Sequence, residues 1–540
     1  MRKLASVVVP IVILAACGSP SPPVPGDGGG RPVPGGTVVI GLLSDIQSWN
    51  PYLVEDLDSE QVLSLVYPSL VIEQPDYRRH PPSFEPSLAR SWTWSDDHRV
   101  LTLELETNAR WSDGVPITSA DVAFTWRVQT SDEVGWLYGD SKGTIERVEP
   151  VDDDTVRVVF THAHPYQLME LNDGLIIPAH AWSGIPLADW STTEWRSRVV
   201  AGGPFTLDRH VPQQQISLVR NPGFAKPERP YLDRVVFRIV PSAQSLVTQL
   251  LAGDIDFLQS IPPSEVNRFR RRDGIELVIY DGRSYSHVCW NTTRPALADR
   301  RVRQALTTAI DRQTLIDVVY AGFGRIAVGP VLSTFWAFND TLEPLPFDPA
   351  AAQTLLAEAG WRDSDDDGMA DRNGAPLSIE LLAPAENETR QDLAILIQED
   401  LRRVGVAAEL RIVEWGTMVS AMQSGSFDGL INQWQEPTRI DLDGIWHSAE
   451  PTEPTFNFGR YSNPEVDRLL AAVAEVTDFR AREPLYDRIQ ELVVADQPYT
   501  FLVETVSITA HSSRIHGADI NAATPYFNID EWFVRTDADD

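Results

Sequence analysis

The chain has 540 residues, with 77 Asp and Glu against 45 Lys and Arg, which gives a formal net charge of −32 at pH 7. A surface this acidic repels nucleic acid and anionic lipid head groups, so we expect neither as a partner. The chain is too long for a single hydrophobic core, which predicts two or three domains.

The N-terminal segment has the pattern of an export signal. A basic start is followed by an apolar run that ends in Leu, Ala, Ala and then Cys17, and this run, with Pro10 inside it, is too short for a membrane-spanning helix. We predict that residues 1–16 are a lipoprotein signal peptide and that cleavage leaves Cys17 to take a lipid. The protein would then be extracytoplasmic and held to the cell membrane by lipid alone, on its periplasmic or cell-surface side. The alternative is a plain secretory signal in which Cys17 has no task.

A tether is predicted after the signal. Residues 17–36 are nearly all Gly, Pro, Ser and Val, with no periodicity that would bury one face of a helix or strand. We expect a solvated leash between the anchor and the folded body. With Cys17 lipidated, Cys289 is the only other cysteine, so no internal disulfide is expected.

Strand and helix patterns are mixed along the rest of the chain, which predicts an α/β protein. Residues 37–43 form a β-rich run, and residues 100–106 alternate apolar and polar side chains, as a half-buried strand does. Thr118 with Asp121 has the spacing of a capping box at the start of a helix. Further helix starts are predicted at Asp299, at Asp348 before Pro349, and at Asn463 before Pro464.

Short sequence blocks spread along the chain carry a family resemblance. They lie at residues 87–92, 101–105, 111–114, 120–124, 202–205, 221–222, 253–256, 301–306, 309–312, 357–361, 427–428 and 461–464. In this order they resemble the signature of the extracellular solute-binding proteins of peptide and nickel ABC importers, the family that includes oligopeptide- and dipeptide-binding proteins. The resemblance extends from about residue 36 almost to the C-terminus.

The resemblance implies a two-lobed periplasmic-binding-protein-like fold, of the large type with an extra inserted subdomain and a hinge between the lobes. Mapped onto this chain, lobe I takes residues 37–70, 201–285 and 505–540, the inserted subdomain takes 71–200, and lobe II takes 286–504. Such a protein captures a peptide or a similar small solute between its lobes and presents the closed form to an ABC-importer permease. Solute shifts the open and closed populations because it contacts both lobes only in the closed form. We expect a monomer without a cofactor.

The resemblance also identifies a cleft motif, residues 432–438, at which this chain departs from its peptide-binding relatives. In those relatives an Asp stands four residues before a proline and pairs with the α-ammonium group of the ligand, whereas this chain has Gln433 there. An amide accepts a hydrogen bond but supplies no charge, and hydrogen bonds between ionised groups are the stronger ones. Either another carboxylate, such as Glu436 or Asp441, replaces the Asp, or the solute lacks a free amino terminus.

Oligosaccharides are the alternative solute within the same family. Indole faces stack on sugar rings and amides bond to sugar hydroxyls without any charge, and the chain has 16 Trp. Most of these Trp lie in core motifs. The ones we predict to line the cleft are Trp49, with Asn50 beside it, and Trp434 and Trp446, which lie in loops.

An acidic segment has the spacing of a calcium loop. Asp363, Asp365 and Asp367 alternate before Gly368, and Asp371 follows. Oxygen ligands two residues apart converge on one cation when a loop curls. However, the last position of a full loop, which calls for Glu, is Gly374. Calcium at these four carboxylates is one interpretation, and a solvated acidic turn is the other.

Catalysis is not expected. The chain has no G-x-S-x-G, H-E-x-x-H, C-x-x-C or Walker pattern, and its ten His are scattered. A lipid-anchored hydrolase or a cell-surface scaffold protein would fit the predicted anchor equally well, and these are the alternatives from other classes.

Overall fold

A computed structural model describes residues 32, 34–226, 228–448 and 456–535. The predicted signal peptide, Cys17 and most of the predicted tether lie outside these residues. In the part that is described, none of the helices combines the length and the apolar character needed to cross a bilayer.

The described residues form β-strands that occur in every part of the chain. They are β1 (Thr37–Leu42), β2 (Val71–Glu73), β3 (Phe84–Pro86), β4 (Ala89–Trp94), β5 (Val100–Leu105), β6 (Ile145–Pro150), β7 (Thr155–Phe160), β8 (Phe205–Val211), β9 (Gln215–Arg220), β10 (Arg234–Ile239), β11 (Phe257–Leu258), β12 (Ile275–Trp290), β13 (Arg325–Ile326), β14 (Asp371–Arg372), β15 (Ala375–Pro376), β16 (Ser378–Pro384), β17 (Ala407–Val413), β18 (Gly429–Gln435), β19 (Tyr499–Ser512), β20 (Ile515–His516) and β21 (Phe533–Val534).

The α-helices alternate with these strands. They are α1 (Leu57–Ser64), α2 (Ser119–Gln129), α3 (Gln167–Asn172), α4 (Ala179–Trp182), α5 (Ala243–Ala252), α6 (Val266–Phe269), α7 (Arg300–Ala309), α8 (Arg312–Val319), α9 (Pro349–Glu358), α10 (Glu388–Arg403), α11 (Trp415–Ser424), α12 (Asp443–Trp446), α13 (Pro464–Glu475) and α14 (Phe479–Asp496). The predicted helix starts are confirmed, because the side chains of Asp299, Asp348 and Asn463 accept hydrogen bonds from the first turns of α7, α9 and α13. Thr118 and Asp121 form the predicted capping box of α2.

One large sheet runs through the molecule. Its strand order is β17-β16-β18-β12-β19-β11-β1-β10-β9-β8, and β13 pairs with β19 beside this path. The long strands β12 and β19 pair antiparallel from Ile275 opposite Ser512 to Cys289 opposite Tyr499, and they connect the strands of lobe I with those of lobe II. A separate four-stranded sheet, β4-β5-β7-β6, lies in the predicted inserted subdomain. The residue bounds given for the lobes stay a prediction.

Separate hydrophobic cores pack on the two halves of the large sheet. One extends over β1, β10 and the inserted subdomain. The cores of lobe II lie on opposite faces of its strands, one beneath α7, α8, α9 and α10 and the other beneath α11, α12, α13 and α14. Cys289 is buried and free, as the sequence predicts.

Asp256 ties the strands of lobe I together. It follows Gly253, whose left-handed backbone (φ 81°) ends α5. The Asp256 carboxylate accepts hydrogen bonds from Arg514 Nε at 2.7 Å and Nη2 at 2.6 Å, and from the backbone N–H of Val39 in β1 at 2.8 Å. A single buried carboxylate thus joins β1, β11 and the segment after β19.

The two crossing strands come close together at Gly282. Their register shifts between Asp281 and Tyr285, and a Cβ at position 282 would lie 2.8 Å from the backbone oxygen of Thr505. Only glycine fits this approach, because the obstructing atom belongs to the backbone and cannot rotate away.

We therefore expect Gly282→Ala to force the crossing strands apart and to lower the free energy of unfolding by about 1–3 kcal/mol, the usual effect of overpacking. Thermal and urea unfolding measure this change. The matched control is Gly416→Ala in α11, where a Cβ meets no atom within 4 Å. Equal stability of the two variants would contradict a close approach at the crossing.

Candidate functional site

The strands of the two lobes run toward each other. In lobe II, β16 is parallel to both β17 and β18, and β18 is antiparallel to β12. In lobe I, β1 is parallel to β10 and β11, and β11 is antiparallel to β19, so these strands run in the direction of β12. The carboxyl ends of both sets therefore point toward the junction of the lobes. Ligands of open α/β sheets bind outside the carboxyl ends of the strands.

The end of β18 has an open edge at this junction. In the described part of the chain, β16 pairs with β18 only at Gly429 and Leu430, whereas β12 pairs with β18 along its length to Gln435. Residues 431–435 thus keep one edge without a neighbouring strand. Such an edge binds an extended peptide through main-chain hydrogen bonds, with pockets on both faces for alternate side chains.

Gln433 lies on the face of β18 that packs toward α8 and α10. Its Nε2 donates to Ser284 Oγ at 3.0 Å, and it lies opposite Ser286 in the ladder. The Tyr320 hydroxyl donates to Ser286 Oγ at 3.3 Å. Burial raises the pKa of Tyr320, and Ser286 and the charge of Arg390 offset part of this rise. This face of β18 is polar at its end.

Arg390 is a positive charge that acts on Tyr320 on one face of the sheet and on His287 on the other, and sequence reasoning did not find it. It lies in the first turn of α10, directly after β16, where its backbone N–H donates to Asn387 Oδ1. The guanidinium packs 5.8 Å from the ring centroid of Trp415, and its buried Nε has no hydrogen-bond partner among the described residues. Burial lowers the pKa of Arg390. A partly desolvated cation without a carboxylate at the junction is suited to bind an anionic group of a solute.

Trp434 and Glu436 lie on the opposite face of β18. Trp434 stacks on His287, with ring centroids 6.2 Å apart, and on Phe458 at 6.0 Å. Burial and then the charge of Arg390 lower the pKa of His287 to about 3, so this ring is neutral. The face is aromatic, in contrast to the face of Gln433.

Glu436 lies directly after β18, within the cleft motif, and its carboxyl group is partly buried. Its backbone N–H donates to the carbonyl oxygen of Arg283 at 2.7 Å, which extends the pairing of β12 and β18. Burial, and to a smaller degree the charge of Asp441, raise the pKa of Glu436 to about 7. Asp441 is exposed. Binding of a solute by the carboxylate of Glu436 or of Asp441 stays a prediction.

The loop after Glu436 contacts the inserted subdomain. The Thr438 hydroxyl donates to the Glu73 carboxylate, and Arg439 lies 3.7 Å from a carboxylate oxygen of Glu170. These contacts bring the cleft motif close to the other side of the junction.

Three residues predicted to line the cleft lie in the core. Trp49 is 3% exposed and donates its indole N–H to His210 Nδ1 at 3.1 Å. Asn50 is fully buried, and its side chain caps a short 3-10 helix by accepting from the N–H of Tyr52. Trp446 is 1% exposed and packs on Tyr499. These three residues are buried, and their contact with a solute stays a prediction.

The predicted calcium loop is exposed, and part of it converges. Carboxylate oxygens of Asp363, Asp365 and Asp367 lie within 4.8 Å of one another. Asp371 instead accepts hydrogen bonds from the backbone and side chain of Ser364. Calcium binding there stays a prediction.

Known protein sequences resemble this chain along most of its length. A sequence model described as bacterial extracellular solute-binding proteins, family 5 Middle, matches residues 83–452. The oligopeptide-binding protein AppA of Bacillus subtilis is 28% identical over 512 residues, which cover 94% of this chain and 93% of AppA. Heme-binding protein A of Haemophilus influenzae is 27% identical over 465 residues, covering 82% and 83% of the two chains.

Solved structures show the same fold. Bacillus subtilis AppA in complex with a nonapeptide has a TM-score of 0.78 at 27% identity, covering 94% of this chain and all of that one. NikA from Brucella suis in complex with Fe(III)-EDTA has a TM-score of 0.82 at 22% identity, covering 93% and 100%. The predicted two-lobed periplasmic-binding-protein-like fold is thereby confirmed. The chain belongs to the bacterial extracellular solute-binding proteins of family 5.

Proposed function

We propose that this protein captures a peptide between its lobes, outside the cytoplasm, and delivers it to the permease of an ABC importer. The observation that carries the proposal is the open edge of β18 at residues 431–435, which lies where the carboxyl ends of both sets of strands meet. The relatives support it, since AppA is named for oligopeptide binding and its solved complex holds a nonapeptide. The lipid anchor at Cys17 belongs to the same proposal and rests on the sequence alone.

Calorimetric titration of the purified protein tests the peptide assignment. Peptides of two to nine residues are compared with oligosaccharides of similar size. We expect saturable peptide binding, together with a smaller radius of gyration by X-ray scattering, because solute stabilises the closed form. Heat from oligosaccharides and none from any peptide would overturn the proposal, as would binding without a change in shape. Mass spectrometry of the membrane-bound protein tests for lipid on Cys17.

The amide of Gln433 provides a second test. We expect Gln433→Asp to bind peptides with a free amino terminus about fivefold more tightly, because a bond between two ionised groups is worth about 1 kcal/mol more than one to a neutral amide. Titration with a peptide and its N-acetylated form measures the change, and the acetylated form should show no gain. An equal gain for both forms, or none for either, would mean that the α-ammonium group lies elsewhere.

A further inference from the structure

Two buried polar atoms without hydrogen-bond partners among the described residues lie beneath the end of β18. They are Tyr285 OH and Trp446 Nε1, and each of these residues is 1% exposed. Buried polar groups in proteins are nearly always paired, so each exception needs an explanation. Two such exceptions lie within one group of side chains beneath the strand that has the open edge.

The side chains around these atoms are aromatic. Tyr499 stacks on His287 with ring centroids 4.2 Å apart, and Trp446 lies 4.7 Å from Tyr499. The ring centroids of Phe458 and Phe456 lie 6.0 and 5.9 Å from that of Trp434. We call this group, with Tyr285, the aromatic cluster. Aromatic faces attract cations and pack against the alkyl part of long side chains.

Glu436 lies at the edge of this cluster. Its backbone N–H donates to the carbonyl oxygen of Arg283, two residues before Tyr285, and it follows Trp434 by two residues, so its side chain lies on the same face of the sheet as Trp434 and Tyr285. Glu436 is partly exposed, and no Lys, Arg or His of the described residues lies within 4.0 Å of it as an ion pair. A partly buried carboxylate normally has a cationic partner.

We propose that Glu436 and the aromatic cluster form a subsite for a cationic side chain, Lys or Arg, of a bound peptide. The inference rests on the proposed function and names the class of peptide that the cleft prefers. The ammonium or guanidinium group pairs with Glu436, while its alkyl chain lies along Trp434, which is the partly exposed ring of the cluster. A neutral sugar would leave the carboxyl group without a counter-charge.

The position of the subsite separates it from Gln433. Trp434 lies opposite Tyr285 in the ladder, and Gln433 lies opposite Ser286, so the two residues point to opposite faces of the sheet. A peptide extended along the open edge of β18 therefore places a side chain into the aromatic cluster and its neighbour toward Gln433. The subsite thus binds a side chain of the peptide and not its amino terminus.

Calorimetry with paired peptides tests the proposal. Each pair is identical except that Lys in one is norleucine in the other, and Lys is moved through every position. At pH 8 we expect one position at which the Lys peptide binds about tenfold more tightly, since charged hydrogen bonds contribute about 1.5–3 kcal/mol. In Glu436→Gln this preference should disappear, so that the Lys and norleucine peptides bind with equal affinity. Asp363→Asn, an equal loss of charge outside the junction, should keep the preference.

The outcomes separate the two proposals. Peptide binding with no position that prefers Lys, or a preference that survives in Glu436→Gln, overturns the subsite and leaves the peptide function standing. A loss in Glu436→Gln that also removes discrimination between free and N-acetylated amino termini would place the α-ammonium group at Glu436 and overturn the side-chain assignment. Absence of heat with every peptide overturns the peptide function and the subsite together. Thermal unfolding of Glu436→Gln, expected to match the parent protein, confirms that the variant is folded.

Discussion

Arg390→Gln should weaken the binding of peptides with a free terminal carboxylate by roughly 10- to 100-fold, the effect of losing one charge-assisted hydrogen-bonded contact. The guanidinium is partly buried at the carboxyl end of β16, packs on Trp415, and has no carboxylate partner in the described chain. A planar guanidinium binds a carboxylate through two parallel hydrogen bonds, so a solute carboxylate supplies the missing partner. Titration of parent and variant with a peptide and its C-terminal amide measures the effect.

The control for this prediction lies on the same helix. Arg402 in α10 is exposed and paired with Glu399, so Arg402→Gln removes an equal charge without touching the junction and should leave affinity unchanged. The C-terminal amide should bind parent and Arg390→Gln alike. If acid and amide lose affinity equally in Arg390→Gln, the guanidinium supports the shape of the cleft and does not contact the carboxylate.

Asp256→Ala should lower the free energy of unfolding by about 1–3 kcal/mol, the usual cost of leaving a buried donor without its acceptor, because Arg514 is 40% exposed and water replaces part of its lost contact. The substitution leaves the guanidinium of Arg514 without its carboxylate and the N–H of Val39 without its acceptor. Both groups lie among strands of lobe I, so the loss falls on the part of the sheet that carries β1. Urea unfolding followed by tryptophan fluorescence measures the change.

The neighbouring Asp254 supplies the control. Its side chain is exposed and lies in the same sequence block, so Asp254→Ala should change stability by less than about 0.5 kcal/mol. Asp256→Asn keeps the shape of the side chain but loses its charge, and it should lie between the two. Equal stability of Asp254→Ala and Asp256→Ala would show that the Arg514 contact adds nothing in solution.

The cleft motif shows how far sequence reasoning reaches into the candidate site. It placed Gln433, Trp434 and Glu436 together because they are adjacent along the chain, and the structure has them at the end of β18. It did not place Arg390, Tyr320 and Trp415 there, because these residues come from three separate helices or helix ends and share no spacing. The motif is a local pattern, whereas the site is assembled across the sheet.

Two of the tryptophans also show that local sequence does not predict contacts between distant segments. The sequence around Trp49 and Trp446 is poor in apolar residues, which favoured exposed loops, yet Trp446 ends α12 and both residues are buried by side chains distant in the chain. A loop residue can be classed as exposed from its neighbours only if no other segment packs on it. That information is absent from local composition.

Local chemistry and the order of motifs along the chain were enough to predict the family, the mixed α/β class, the helix starts and the absence of a disulfide at Cys289. Which face of β18 each side chain takes, and which cation lies beside it, depends on long-range strand pairing that no local pattern reveals. Pairing between β12, β18 and β19 joins residues more than a hundred positions apart, and this pairing sets the open edge, the polar face of Gln433 and the aromatic face of Glu436.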